Sequence, residues 1–221
     1  PLIKLSKNIY TLELFHGPTM AFKDVGARFM SRCINYFINN TNKKVSVLVA
    51  TSGDTGGAVA SGFNNINGTE VIILYPKGRV SDIQEKQLTT NGKNVRAFEV
   101  DGSFDDCQKM VKDAFVDKDL KKTHNLTSAN SINVARWLPQ SLYYFFTMKK
   151  FAELNILNKV VFSIPSGNFG NICAGIVASK LGLNIKHFVA STNSNDTVTR
   201  FLRNGKYQPN KTIRTLSLIH I

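Results

Sequence analysis

The amino-acid sequence predicts an α/β fold in which parallel-rich sheets are flanked by helices. Short apolar runs with many β-branched residues alternate along the chain with segments that have helical spacing. Several of the apolar runs end at a glycine or a proline, where a strand would stop. Two glycine-containing segments lie between such a run and the following helix, which is where open α/β sheets bind ligands.

The strand pattern recurs in five apolar runs, and an apparent strand also follows Pro1 directly. The run at 71–75 is stopped by Pro76, and the run at 160–164 is stopped by Pro165. In chain order, the five runs are 45–50, 71–75, 95–100, 160–164 and 185–190.

Helical segments separate these runs. In the first of them an apolar residue recurs at every fourth position, from Val25 to Phe37. Ser81 and Ser103 have the character of helix N-caps, and Gly182 is a natural C-terminal stop. In chain order, the predicted helices are 22–38, 55–63, 81–88, 103–115, 142–154 and 171–181.

The composition argues against two classes of partner. The net charge is +13, from 28 Lys and Arg against 15 Asp and Glu. The basic residues are dispersed, however, whereas nucleic-acid-binding proteins cluster theirs. We therefore expect no nucleic-acid partner and ascribe the charge to solvated surface and anionic small ligands. No apolar run reaches the length that crosses a bilayer, so we expect no membrane partner.

The cysteines predict neither disulfides nor a metal site. Cys33, Cys107 and Cys173 are far apart, form no CxxC pair and have no histidine at metal-ligand spacing. Nothing in the sequence points to secretion. We expect reduced thiols in a cytoplasmic protein.

Two loops are candidate anion sites. Residues 51–57, TSGDTGG, combine hydroxyl groups with the free N–H groups of a helix start, which favours an anion. The alternative is a tight turn that only needs glycine torsions. Residues 166–171, SGNFGN, predict a phosphate cradle built from backbone N–H groups. That loop lacks the Lys-Ser/Thr ending of a P-loop and the dinucleotide fingerprint, so a nucleotide is not required.

Lys23 is the candidate catalytic residue. It begins a predicted helix, where the positive end of the helix dipole disfavours a second positive charge. The apolar neighbours Met20 and Phe22 would desolvate the amine and lower its pKa further. A lysine with a lowered pKa suits Schiff-base chemistry. The alternative is a surface lysine that happens to begin a helix.

Four segments, in this order, resemble motifs of the threonine synthase family. They are ELFHGPTMAFKDVGARFM at 13–30, TSGDTGGAVA at 51–60, NSINVARWLPQ at 130–140 and IPSGNFGN at 164–171. A family-like stretch continues from 180 to 202, and the resemblance covers residues 1–215. Four ordered motifs at sensible spacing are far more specific than any single one.

The resemblance implies a tryptophan-synthase-β-like enzyme of fold type II that uses pyridoxal 5′-phosphate (PLP). Lys23 would carry the cofactor, and Asp54 would organise the loop or face the cofactor. The 5′-phosphate would bind to Ser166, Gly167, Asn168, Phe169, Gly170 and Asn171. The substrate carboxylate would meet Thr51, Ser52, Gly53 and Thr55.

The resemblance also implies the substrate, O-phospho-L-homoserine, which would be converted with water to L-threonine and phosphate. Ser131, Asn133 and Arg136 would bind it, with the Arg136 guanidinium on the phosphate. A structural ion pair is the alternative for Arg136. His16 would either hydrogen-bond near the cofactor or serve in packing.

The remaining expectations concern domains and ends. We expect residues 1–42 and 160–215 to form part of a larger PLP-binding lobe, and 43–159 a smaller α/β lobe, with the phosphate loop facing Lys23. Residues 216–221, LSLIHI, are expected to be an artefactual tail on an incomplete catalytic core. Two other functions stay open, a β-eliminating relative such as a serine/threonine dehydratase or cysteine synthase, and a non-catalytic phosphate-ligand-binding protein.

Overall fold

A computed structural model of the chain describes residues 1–39, 41–156, 160–210 and 213. The chain divides into two units, Pro1–Pro139 and a second that begins at Gln140. The division into lobes expected from the sequence, with 1–42 and 160–215 against 43–159, stays a prediction. The tail expected at 216–221 lies outside the described residues.

The first unit contains an antiparallel pair of short strands and a four-stranded parallel sheet with its helices. In chain order its elements are β1 (Leu2–Lys4), β2 (Tyr10–Leu12), α1 (Lys23–Ile38), β3 (Val45–Ala50), α2 (Asp54–Phe63), β4 (Thr69–Pro76), α3 (Asp82–Thr89), β5 (Val95–Val100), α4 (Phe104–Val116), α5 (Lys118–Thr123), β6 (Leu126–Ser128) and α6 (Val134–Trp137). A short 3-10 helix, Leu138–Gln140, follows.

The parallel sheet has the strand order β5-β4-β3-β6. Successive side chains of β3 point to opposite faces, as the pleat of a strand requires. Val47 and Val49 enter a core shared with α1, α2 and α3, whereas Leu48 and Ala50 enter a second core shared with α4. Because both faces are covered, β3 is apolar along nearly its whole length, which is typical of buried parallel strands.

The second unit has a two-stranded parallel sheet. Its elements are α7 (Ser141–Glu153), β7 (Val160–Pro165), α8 (Gly170–Lys180), β8 (Ile185–Ser191) and α9 (Thr197–Asn204). The Tyr144 ring of α7 packs edge-on against Phe162 and Phe188, which project from the two strands. A Cβ at Gly175 would collide with the Tyr144 and Phe188 rings, so glycine lets α8 approach closely.

The predicted α/β fold is confirmed, including every predicted strand and helix to within about two residues. Ser81 and Ser103 cap α3 and α4 through complete capping boxes. The elements that the sequence did not predict are short or polar. They are β2, α5, β6, α6 and α9.

Helix α1 differs from its sequence pattern in one respect. The four-residue repeat correctly predicts a helix, but Phe29 and Phe37 on that stripe are exposed. The buried side of α1 instead carries small residues, among them Gly26, Ala27 and Ser31. Small side chains let α2 and α6 approach the backbone of α1 closely, and this positions Lys23.

None of the helices among the described residues combines the length and the apolar character that a membrane span needs.

Candidate active site

Lys23 is the first residue of α1, and only 7% of it is exposed. Its Nζ has no hydrogen-bond acceptor among the residues that the structure describes. Burial lowers the pKa of this amine to about 8, and the Arg136 guanidinium adds to the effect, while the Asp54 carboxylate opposes it. Near neutral pH an appreciable fraction of Lys23 is therefore neutral, the form that attacks a carbonyl.

Two groups lie close to the Lys23 amine. The Asp54 Oδ2 atom is 3.8 Å from Nζ, which is an ion pair but too long for a hydrogen bond. The centre of the Phe22 ring is 4.7 Å from Nζ, so the two form a cation–π contact. Met20 was expected to shield the amine as well, but that expectation is wrong because Met20 is 68% exposed.

The loop at 51–57 is organised from within. The buried Thr51 hydroxyl accepts hydrogen bonds from the N–H groups of Gly53 and Gly56, at 3.0 and 2.8 Å. It also donates to the Gly53 carbonyl at 3.1 Å. Gly53 has φ +140°, a torsion that favours glycine, and Asp54 then begins α2. The substrate contacts predicted for this loop, at Thr51, Ser52, Gly53 and Thr55, stay predictions.

Gln84 is a contact of Asp54 that the sequence reasoning missed. Its Nε2 donates to the Asp54 Oδ1 atom at 2.7 Å, across 30 positions of sequence. Gln84 is buried at the third position of α3, where its other amide atom completes the capping box with Ser81. The S-x-x-Q spacing reveals the cap from sequence, but nothing local reveals the bond to Asp54.

Asn130 is a second residue that the sequence reasoning missed, and it holds two loops together. Its side-chain amide forms a pair of hydrogen bonds with the backbone of Ala50, at 3.1 and 2.7 Å. Ala50 is the last residue of β3, directly before the loop at 51–57. The segment that begins at Asn130 is therefore fixed beside that loop.

Arg136 is only 4% exposed, and its side chain donates hydrogen bonds to backbone carbonyls nearby. Its Nε donates to the Ala129 carbonyl at 2.9 Å, and its Nη1 donates to the carbonyl of Lys23 at 3.0 Å. Burial lowers its pKa to about 10, with the Asp24 carboxylate acting in the opposite direction. Arg136 thus holds the first turn of α1 through its bond to the Lys23 carbonyl. Its predicted contact with a substrate phosphate stays a prediction.

Ser131 and Asn133, the other residues predicted in this segment, have different surroundings. Ser131 is exposed. Asn133 caps α6 through a bond from the Ala135 N–H at 3.0 Å, and its Nδ2 donates to the Ser128 carbonyl at 2.8 Å. The Asn133 side chain therefore shapes the loop, and substrate binding by either residue stays a prediction.

The SGNFGN loop lies in the second unit, between β7 and α8. Ser166 is buried, and its hydroxyl donates to the Ile164 carbonyl at 3.0 Å. Phe169 has φ +58°, in the left-handed region, and precedes the first turn of α8. The Asn171 side chain donates to the Pro165 carbonyl at 2.9 Å, which closes the loop. The first N–H groups of a helix lack intrahelical acceptors, so this loop is suited to an anion.

The binding residues predicted in this loop, namely Ser166, Gly167, Asn168, Phe169, Gly170 and Asn171, are contiguous, and their contact with a phosphate stays a prediction. Gly167 and Asn168 are exposed at the tip of the loop.

The contacts of His16 are with residues close to it in sequence. Its ring is 2.7 Å from the Glu13 carboxylate and stacks on Phe15 at 4.7 Å between ring centres. Both contacts are local and the histidine is exposed. The packing alternative for His16 agrees with these contacts better than a position at the amine.

The cysteines and other potential metal ligands are dispersed. Cys33, Cys107 and Cys173 are free thiols. In the part of the chain that the structure describes, no three His, Cys, Asp or Glu side chains come together as a metal site. The ionisable groups that the structure brings together around Lys23 are its buried amine, the Asp54 carboxylate and the Arg136 guanidinium.

A family profile described as "Pyridoxal-phosphate dependent enzyme" matches residues 1–218. Among curated proteins, threonine synthase from Buchnera aphidicola (Acyrthosiphon pisum) is 53% identical over 215 residues, which is 97% of this chain and 50% of that protein. Threonine synthase from Escherichia coli is 48% identical over 217 residues, with 98% and 50% covered. The chain spans about half the length of these relatives.

Solved structures have the same fold. Threonine synthase from Escherichia coli superposes with a TM-score of 0.92 at 47% identity, over 99% of this chain and 50% of that chain. PLP-bound threonine synthase from Brucella melitensis gives 0.87 at 41% identity, over 97% and 46%. A diaminopropionate ammonia lyase from Escherichia coli gives 0.71 at 15% identity, over 94% and 59%, which shows the fold alone. The fold is thus that of fold type II PLP enzymes.

Proposed function

We propose, from the premise that this chain belongs to the pyridoxal-phosphate-dependent enzyme family, that it provides the cofactor lysine and the substrate loops of a threonine synthase. The reaction converts O-phospho-L-homoserine and water to L-threonine and phosphate. The observation that carries the proposal is the Lys23 amine, which is buried, has no hydrogen-bond acceptor among the described residues and has a pKa of about 8. The high identity to threonine synthases supports the choice of reaction.

The residues present fit PLP. An amine that is buried without a hydrogen-bond acceptor destabilises a fold, and the aldehyde of PLP would give the Lys23 amine a covalent partner. Lys23 would hold the cofactor covalently, and the loop at 166–171 would bind its 5′-phosphate through backbone N–H groups at the start of α8. When bound, PLP supplies the electron sink that stabilises negative charge on substrate carbons.

Lys23 has a second role in this proposal, as a general base. In this role the Lys23 amine would move protons at Cα and the neighbouring carbons of the substrate. A pKa of about 8 suits this role, because such a group gains and loses protons readily near neutral pH. The Asp54 carboxylate at 3.8 Å stabilises the ammonium that each proton uptake creates.

The substrate phosphate is assigned to Arg136, with Ser131 and Asn133 from the same segment. A guanidinium has five N–H donors, and the bonds to Ala129 and Lys23 engage two of them. The low exposure of Arg136 strengthens its attraction for a dianion. The substrate carboxylate is assigned to the loop formed by Thr51, Ser52, Gly53 and Thr55.

The test is a chimaera in which this chain replaces the matching half of Escherichia coli threonine synthase. We expect the chimaera to release phosphate from O-phospho-L-homoserine and to form threonine, while L-serine yields no pyruvate. Lys23→Ala should abolish both turnover and the visible absorption of lysine-bound PLP, because it removes the proposed attachment point of the cofactor.

Lys118→Ala is the matched control, since Lys118 is also the first residue of a helix but is exposed. This variant should retain turnover and absorption. Pyruvate from serine without threonine from O-phospho-L-homoserine would replace the proposal with a β-eliminating enzyme. Absence of the absorption band from the folded chimaera would favour a non-catalytic binding protein.

A further inference from the structure

The N-terminus of α3 is joined to the Lys23 amine by a chain of polar contacts. Ser81 caps α3, and its N–H and hydroxyl both donate to the Gln84 Oε1 atom, at 3.1 and 3.2 Å. These two bonds fix which end of the Gln84 amide is the oxygen. The Nε2 end is thereby turned towards Asp54 at the start of α2, 2.7 Å away.

The two oxygens of Asp54 then have separate partners. Oδ1 accepts from Gln84 at 2.7 Å, while Oδ2 lies 3.8 Å from the Lys23 Nζ. The bond on one oxygen therefore sets the direction in which the other points. The contact with Lys23 is too long to fix that direction by itself, because it is not a hydrogen bond.

The loop before α2 is shaped around the Gln84 amide. A Cβ built on Gly53 would collide with the Cδ, Nε2 and Oε1 atoms of Gln84. Gly53 is thus needed for its φ of +140° and also for the space that the Gln84 side chain fills. Gln84 is itself buried at 5% exposure, so it is held in place.

We propose that Gln84 is a positioning residue that holds the Asp54 carboxylate beside the Lys23 amine. The N-terminal turn of α3 thereby controls how strongly a negative charge acts on the cofactor lysine. The inference rests on the proposed function only in that it takes Lys23 to be the cofactor lysine. Gln84 acts through Asp54 and forms no hydrogen bond with the Lys23 amine.

The physical consequence concerns the balance of charge at Lys23. The charged groups that act on its amine are Asp54, which raises its pKa, and Arg136, which lowers it, while burial lowers it most. Without the Gln84 donor, the Asp54 carboxylate gains hydration by turning towards solvent. The Asp54 carboxylate then no longer raises the pKa of Lys23, so this pKa falls.

The experiment is an NMR titration of the 221-residue chain labelled with ¹³C-lysine, in which the Lys23 signal is identified by its loss in Lys23→Arg. We expect Gln84→Met, which is of similar size but has no amide, to lower the pKa of Lys23 by about one unit, as loss of a nearby opposite charge would. Asp54→Asn should produce a shift in the same direction. In the Asp54→Asn background, Gln84→Met should produce no further shift.

The matched control is Asp106→Ala. Asp106 is the corresponding third residue of α4 and completes the same kind of capping box with Ser103. Its removal costs a capping box but should leave the pKa of Lys23 unchanged. If Gln84→Met does not fold, Gln84→Asn takes its place, because its amide is one methylene too short to reach Asp54 and should produce the same downward shift.

The proposal is overturned if folded Gln84→Met, or its substitute Gln84→Asn, titrates at Lys23 like the wild type. It is also overturned if the shift persists in the Asp54→Asn background, since Gln84 would then act by another route. The titration needs neither cofactor nor substrate. A chimaera that makes no threonine, together with a 221-residue chain that shows the coupling, would refute the proposed reaction and leave the role of Gln84 standing.

Discussion

At the scale of single residues, the site depends on an amine that the fold holds at a cost. Lys23 is buried without a hydrogen-bond acceptor among the described residues, and a carboxylate 3.8 Å away offsets only part of the lost hydration. This is why its pKa lies near 8 instead of 10.5. At pH values where the group is protonated, this lowered pKa corresponds to a loss of about 3 kcal/mol in the free energy of unfolding.

Replacement of Lys23 should therefore stabilise the cofactor-free chain. We expect Lys23→Met to raise the free energy of unfolding at pH 7 by about 3 kcal/mol, because the penalty of burying the ammonium disappears. Between pH 8 and 10.5 the folded chain has lost the Lys23 proton while the unfolded chain keeps it. The stability of the wild type relative to the variant should thus rise with pH across this window. Urea denaturation at several pH values measures the difference.

Lys118→Met is the control for this measurement, because Lys118 begins a helix but is exposed. Its effect on stability should be small, because this substitution removes no buried ammonium. A difference between Lys23→Met and wild type that stays constant across these pH values would contradict the lowered pKa.

The direction of the pKa shift at Lys23 could be predicted from sequence, but its sources could be predicted only in part. The helix start and Phe22 are local features, and both are present. Asp54 and Arg136 come from distant parts of the chain, and their distances to Lys23 depend on tertiary packing. Met20 was misjudged because an apolar residue near Lys23 in sequence can still be largely exposed to solvent, as Met20 is at 68%.

At the scale of elements, α1 is positioned by the small residues on its buried side. A Cβ on Gly26 would collide with the Arg136 carbonyl oxygen and guanidinium. The close contact between α1 and α6 that Gly26 permits also allows Arg136 to donate a hydrogen bond to the carbonyl of Lys23 at 3.0 Å. The absence of a side chain at Gly26 therefore permits the contact between α1 and α6 that places the amine.

Gly26→Ala should destabilise the first unit by about 1–3 kcal/mol, because the added methyl group forces α1 and α6 apart. Alanine is otherwise the better helix former, so the sign of the effect identifies packing as its cause. The measurement is urea denaturation followed by circular dichroism.

Gly57→Ala is the matched control, since Gly57 is also a helical glycine. Its added Cβ would lie 2.9 Å from the tip of the Gln87 side chain, which can move aside. We expect a change of less than about 1 kcal/mol there. Equal effects at the two glycines would show that the contact between α1 and Arg136 is not tight.

The predicted strands and helices were long enough to show their periodicity and had clear stops. The elements that were missed, such as β6 and α6, are three and four residues long and depend on distant partners. β6 is a strand because it pairs with Ser46, Val47 and Leu48 of β3. No local pattern contains that information.

At the scale of the whole molecule, the order of the motifs carried the prediction further than any single motif. Each glycine loop is locally ambiguous between an anion site and a tight turn. Their order and spacing pointed to a PLP enzyme, and the match over residues 1–218 shows that the chain belongs to the pyridoxal-phosphate-dependent enzyme family. What the sequence could not supply are the contacts that hold the loops, such as Asn130 on Ala50 and Gln84 on Asp54.

Peptide mapping can show whether Lys23 carries PLP. The chimaera with Escherichia coli threonine synthase is incubated with PLP, reduced with borohydride and digested, and the modified lysine is located by mass spectrometry. We predict that the phosphopyridoxyl group is found on Lys23 and is absent from this position in Lys23→Ala. A stoichiometric phosphopyridoxyl group on another lysine, with Lys23 unmodified, would contradict the account.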